Sequence, residues 1–218
     1  MVFDVDYALE ILPRLLAASV VTIQATFAAM AVALVVGLII AILRMSPIRP
    51  LSMGVGLVTE AIRSTPVLIQ LFIAFYIIVP RLGLPPTPLL AGILALGIHY
   101  ATYCSEVYRA GIQAVPRGQW EAARALNMTA LTTWRRVVIP QAIPPVIPAL
   151  GNYLIALFKE TPVLFVITVV ELFGQALQIM GETYRPFEPI LMVGLIFLLL
   201  SYPSSLAVRR LEKRLAHA

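Results

Sequence analysis

The sequence predicts an all-α integral membrane protein that crosses the bilayer about five times, with its N-terminus outside and its C-terminus in the cytoplasm. Three observations carry that reading. Of the 218 residues, 60% are apolar and only 12% charged, whereas an ordinary soluble domain is about 25% charged. Mean hydropathy is +0.92. From Leu15 to Leu43 there is no charge at all, and a helix of that length reaches about 43 Å, more than the ~30 Å hydrocarbon core. Finally, the basic residues gather in alternate loops between apolar runs.

The spans follow in order. Span one is the Leu15 to Leu43 run, tilted because it is longer than the core is thick. Span two runs from about Thr65 to Val79, beginning after Glu60 and Arg63, and Pro80, Pro85, Pro86 and Pro88 end it and start span three. Span three covers about Leu89 to Cys104, and a polar segment follows to Arg136. Span four takes Val137 to Phe158, where Pro140, Pro144, Pro145 and Pro148 predict a kinked or late-starting helix. Span five runs from Pro189 to about Val208.

Between spans four and five, Pro162 to Met180 is apolar but interrupted by Glu171, Gly174, Gln175 and Gln178. A carboxylate at the centre of a span costs about 2.5 to 3.5 kcal/mol on the insertion scale. Charge parity argues against a sixth span. With five spans, twelve of the sixteen basic residues fall on one side, including Arg44, Arg49, Arg63, Arg109, Arg117, Arg124, Arg135, Arg136 and the tail Arg209, Arg210, Lys213 and Arg214. Arg14, Arg81, Lys159 and Arg185 fall on the other, with seven of the eleven acids. The positive-inside rule makes the C-terminus cytoplasmic. A sixth span would export the basic tail, so 162–180 is read as re-entrant or interfacial, buried against other helices. Asp4, Asp6 and Glu10 precede the first basic residue, the wrong polarity for a cleaved signal peptide.

The segment from Glu106 to Pro140 has the pattern of a docking element. Glu121-Ala122-Ala123-Arg124-Ala125-Leu126 is a good helix former, Asn127 suits a left-handed turn, and Thr129 suits the cap of a second short helix feeding span four. Paired alanines permit close approach of another surface, and Glu121 offers it an acceptor. The alternative reading is an amphipathic helix lying on anionic lipid, with Trp120 and Trp134 as interface anchors.

Glu121-Ala122-Ala123, then position 127, then Val137, Ile139 and Pro140 resemble the E-A-A loop of ABC-transporter permeases, with Asn127 where the family has glycine. Glu60-Ala61-Ile62-Arg63-Ser64-Thr65-Pro66-Val67-Leu68-Ile69-Gln70-Leu71-Phe72 is similar to a stretch of the polar amino-acid permeases. So are Glu106 to Ile112, Pro116 to Trp120, and Lys159-Glu160-Thr161. The resemblance implies a type I importer core over 15–208, between an external segment 1–14 and a basic cytoplasmic tail 209–218, with a coupling loop at 117–140. It also implies that Gly118, Glu121, Ala122, Ala123, Leu126, Asn127 and Pro140 couple to an ATPase. The implied partners are two ATP-binding cassette subunits, a second permease (identical or paralogous), an external solute-binding protein and membrane lipid, in a bacterial inner membrane. ATP and Mg would be used by the partner subunit, with no cofactor bound by this chain. The cargo would be a polar amino acid or related zwitterion, such as an opine or an ectoine-like solute.

The remaining residues are weighed one by one. Neither Lys159 nor Lys213 follows a glycine-rich phosphate loop, so this chain lacks its own ATP site. Lys159, Glu160, Thr161 and Glu171 are candidates for the substrate path, since charge beside a broken apolar segment is costly in lipid. Helix-end snorkelling is the competing account of the Lys159 and Glu160 pair. Glu60, Arg63 and Pro66 are given structural roles, the first two as an i,i+3 pair. His99 reads as a hydrogen-bonded bundle residue and Cys104 as a packing residue. One cysteine and two histidines, His99 and His217, make neither a disulfide framework nor a zinc set, and no basic patch with interleaved aromatics points to nucleic acid. No motif of a membrane enzyme occurs. An ion-coupled carrier or channel acting without an ATPase is the alternative function, although no internal repeat of such folds is present.

Overall fold

A computed structural model describes residues 3–83 and 87–215. Pro85, Pro86 and His217 lie outside the described residues. Among those described, the chain is helical throughout, with no strand.

α1 (Val5–Arg44) begins at Asp4, whose side chain accepts the Tyr7 N–H at 3.1 Å. Ala25, Ala29, Ala33, Gly37 and Ala41 recur every fourth residue on its buried side. They set the approach of α5 (Pro88–Gln113), to which α1 runs parallel: residues 29–32 lie beside Gly97, Gly37 beside Ala101 and Cys104, and Arg44 beside Glu106. A Cβ added at Gly37 would stand 2.8 Å from the Cys104 Cβ and 2.9 Å from the Ala101 carbonyl, and one at Gly97 would meet Val32 at 2.7 Å. In lipid there is no hydrophobic drive between helices, so small residues that let backbones touch decide which helices pair.

α2 (Arg49–Arg63) stops at Ser64, because the residue before Pro66 is disfavoured in helical geometry. The chain resumes as α3 (Val67–Ile73), a π turn (Ala74–Ile78) and α4 (Val79–Arg81), bent by 104° from α2. After α5 come α6 (Arg117–Ala125), α7 (Ala130–Thr133), a second π turn (Trp134–Val138) and α8 (Ile139–Glu160). Each π turn stands just ahead of a proline, Pro80 or Pro140. The Val79 N–H reaches back to the Ala74 carbonyl, and the Ile139 N–H to that of Trp134. A proline has no N–H and its ring crowds the carbonyl one turn back, so widening the helix by one residue lets it continue. The helical stretch from Ala130 to Ile167 therefore runs through Pro140 instead of starting late, and Pro144, Pro145 and Pro148 lie inside α8 as well.

A 3₁₀ segment (Thr161–Ile167) leads to α9 (Leu172–Thr183) and α10 (Phe187–Leu215). Of the expectation for 162–180, re-entrant or interfacial and buried against other helices, the burial holds at Leu164, Ile167, Leu172, Ala176 and Ile179, while the segment does not turn back on itself. The Tyr100 hydroxyl meets Glu160 and a Cβ at Gly92 would meet Leu164; Leu172 N–H then bonds Thr22 Oγ1, and Tyr7 bonds Thr183. Along parallel α5 and α1 these contacts step steadily toward the N-terminal ends of both helices. The segment therefore carries span four onward to the side where α1 begins. Val5–Arg44, Pro88–Gln113, Ala130–Ile167 and Phe187–Leu215 are long and apolar enough to cross a bilayer, and the bent pair, counted as one, makes five.

Candidate coupling surface and solute path

α6 ends as its sequence predicts. Asn127 takes φ 52°, the Leu126 N–H bonds the Ala122 carbonyl at 3.0 Å, and the Met128 N–H returns to Ala123 at 3.0 Å. This closure satisfies the last carbonyls of the helix, and asparagine tolerates it better than a branched residue does. Thr129 then caps α7, accepting the Thr132 N–H at 3.3 Å. The inner face of α6 is fixed: Ala123 is buried, and Trp120 stands edge-on to Trp134 at 5.5 Å over Val115, Val138 and Ala142. The two tryptophans thus pair with each other. Gln141 Nε2 donates to Gln119 Oε1 at 3.3 Å, a further tie between α6 and α8.

The outer face of α6 is free. Gly118, Glu121 and Ala122 are exposed, and Leu126 is 74% exposed. A Cβ at Gly118 would touch nothing, so the fold of this chain does not itself require glycine there. Beside this face lies a concavity of about 590 Å³ walled by Trp120, Glu121, Arg124 and Trp134. Pro140 is exposed in the first turn of α8.

Where α1, α2 and α5 meet, Glu106 gathers three guanidinium groups. Arg44 bonds one carboxylate oxygen, Arg109 holds the other at 2.8 Å, and Arg63 stands 3.7 Å away while also pairing with Glu60. The expected Glu60 and Arg63 pair is present, but as part of a larger cluster centred on a residue that no local spacing singles out.

Deeper, the half-buried Glu160 ends α8 and accepts the Tyr100 hydroxyl at 2.6 Å. Tyr103 and Tyr153 flank the Tyr100 ring, their own centroids 5.5 Å apart, and the His99 ring stands 5.4 Å from that of Tyr103. Lys159 is exposed, and Thr161 is fully buried with its hydroxyl on the Phe158 carbonyl. Glu171 is also fully buried; its oxygens accept the Gly174 N–H at 2.7 Å and the Phe173 N–H at 3.0 Å, capping α9, with Thr22 Oγ1 at 3.5 Å. Among the described residues no group of His, Cys, Asp and Glu is arranged to hold a metal.

A helical chain with four or five candidate membrane crossings carries, between two of them, a rigidly mounted helix–turn–helix whose outer face is open. Residues 33–217 match the family described as binding-protein-dependent transport system inner membrane component. The chain belongs to that family: it is an ABC-transporter permease, and ABC permeases work with ATPase and substrate-binding partners. It is 43% identical to a probable amino-acid ABC transporter permease of Sinorhizobium fredii, over 97% of this chain and 91% of the relative. It is 36% identical to the nopaline transport system permease of Agrobacterium fabrum, over 96% and 90%. A crystal structure of an amino acid ABC transporter with histidines superposes with a TM-score of 0.89 at 36% identity, covering 98% of this chain and all of the other. A methionine ABC transporter in an inward-facing conformation shares the fold, with a TM-score of 0.78 at 24% identity over 92% and 96%.

Proposed function

We propose that this chain is the permease subunit of an ATP-driven importer that carries a polar amino acid or an opine-like zwitterion across a bacterial inner membrane. In this reading it pairs with a second permease, identical or paralogous. Two ATPase subunits sit below the pair and a solute-binding protein outside. The observation that carries the proposal is the mounting of α6: exposed at Gly118, Glu121 and Leu126, yet locked to the start of α8 through Trp120, Trp134 and Gln141. A displacement imposed on α6 by closing ATPases therefore moves α8, a lever of 22 residues and about 33 Å. Its far end carries Glu160. A solute ammonium entering there competes with the Tyr100 hydroxyl for the Glu160 carboxylate, which gives the path one acceptor of the right charge. We assign Glu171 to the fold, because its oxygens are already committed to the α9 backbone, and leave Lys159 and Thr161 as neighbours of the Glu160 site.

The test is uptake of radiolabelled glutamine, glutamate and nopaline by cells carrying the intact system, with ATP hydrolysis followed in the purified complex. Glu121→Arg is expected to abolish uptake and solute-stimulated hydrolysis while the chain still inserts; transport surviving that change would remove α6 as the coupling element. Glu160→Gln is expected to raise KM with kcat held, since it removes charge from the binding site alone. An ion-coupled carrier would instead take up solute without any ATPase.

A further inference from the structure

At two consecutive residues, α5 touches two places where helical geometry changes. Tyr100 bonds Glu160, where α8 gives way to the 3₁₀ segment, and His99 Nδ1 lies 3.1 Å from the Gln70 side-chain oxygen, just beyond the α2 to α3 bend. The Gln70 amide nitrogen faces only acceptors near that bend: the Ile62 carbonyl at 2.7 Å, the Thr65 carbonyl at 3.0 Å and Thr65 Oγ1 at 2.8 Å. Carbonyl oxygens cannot donate, so these surroundings fix which way the amide points. Its oxygen, an acceptor only, must then accept a hydrogen bond from His99 Nδ1–H. Gln70 thus lies across the bend, with one end on the Ile62 carbonyl near the end of α2 and on Thr65 just after it, and the other on the interior of α5.

We propose that Gln70 is a positioning residue that ties the angle between α2 and α3 to the His99 and Tyr100 turn of α5, so that occupancy at Glu160 is registered at the bend. The last clause rests on the solute path proposed above; the tie itself rests on the hydrogen bonds alone. The physical route is short. A solute that takes Glu160 releases the Tyr100 hydroxyl, and the Tyr100 ring stands edge-on to the His99 ring with centroids 5.7 Å apart. A shift of one ring displaces the other, and His99 holds Gln70. α2 carries Arg63 into the Glu106 cluster, so a change of bend also reaches the ends of α1 and α5.

The experiment places spin labels at Met53 and Tyr76, both well exposed on opposite sides of the bend, in the purified importer complex with Cys104→Ala removing the native thiol. Wild type should give one narrow distance distribution; Gln70→Met should about double its width, because the bend then samples several angles. Gln70→Glu keeps the acceptor facing His99 but loses both donors, and should broaden the distribution similarly even if Gln70→Met assembles poorly. In uptake assays Gln70→Met should lower the maximal rate about tenfold with KM within about twofold, and the Gln70→Met, His99→Phe double variant should be no worse than the worse single variant. An unchanged distance distribution in both Gln70 variants, or uptake losses that multiply in the double variant, would overturn the proposal. If wild type takes up none of the three probe solutes, the solute reading fails, while the distance measurement still judges the tie.

Discussion

Asn127 shows how a single backbone position determines a surface. Its left-handed φ of 52° turns the chain out of α6 and lets Met128 close on Ala123, so Asn127→Gly should leave ATPase co-purification unchanged. Asn127→Val, which places a branched side chain where that conformation costs about 1 to 2 kcal/mol, should reduce co-purification several-fold. Packing between spans is as sensitive. A Cβ at Gly111 would stand 2.3 Å from Val146 Cγ2 and 3.0 Å from the Ala142 carbonyl, whereas one at Gly54 meets nothing. Gly111→Leu should therefore lower the melting temperature of the detergent-solubilised chain by several degrees, and Gly54→Ala should leave it the same or slightly higher. The turn at Asn127 and the cap at Thr129 were readable from sequence because both are local backbone chemistry. The Glu106 cluster and the Gln70 and His99 contact were not, since each joins residues on helices far apart in the chain.

The elements at the end where α1 begins form a clasp that no single motif announces. Arg14 holds both oxygens of Glu182, at 2.7 and 2.8 Å, and Arg185 bridges Asp4 and Glu188 at 3.0 Å each while lying 4.0 Å from the Tyr7 ring centroid. Asp4 is held below the usual carboxylate range, first by the Tyr7 N–H and then by Arg185, and Glu182 is lowered by its bond to Arg14. Carboxyls depressed on folding stabilise above their unfolded pKa values, and that contribution is lost as pH falls through the folded ones. Proteolysis within the first turns of α1 should accordingly rise in acid below the ordinary carboxylate range, and Arg14→Met should flatten that dependence. α9 depends on a different contact. Glu171→Ala would leave two backbone donors at its buried N-terminus without their acceptor, at a cost of about 1 to 3 kcal/mol, read as loss of amide protection across α9 with solute KM unchanged.

For the whole molecule, orientation follows from charge and is directly measurable. In a Cys104→Ala background, Tyr184→Cys should react with an impermeant maleimide from outside intact cells and Leu126→Cys only after permeabilisation; both side chains are highly exposed, 89% and 74%. The reverse pattern would invert the topology and with it the coupling assignment. The contacts that join α8 to α6 at one end and to Tyr100 at the other make a single lever of the middle of the molecule, and the two wide π turns let proline-containing helices run through without a break.

Sequence by itself determined the bilayer as solvent, five crossings, the positions of the loops and the turn chemistry of the coupling element. Hydropathy, charge parity and left-handed propensity act within a few residues and survive in a linear string. Only the tertiary structure decided that 162–180 carries span four on to the side where α1 begins, that Glu171 caps a helix, that the tryptophans pair, and that Glu106, Gln70 and Glu160 sit where separate helices meet. Burial and hydrogen-bond partnership are properties of assembled helices. In lipid, which helices assemble is decided by small-residue contacts such as Gly37 on Cys104, whose composition looks like any other apolar run.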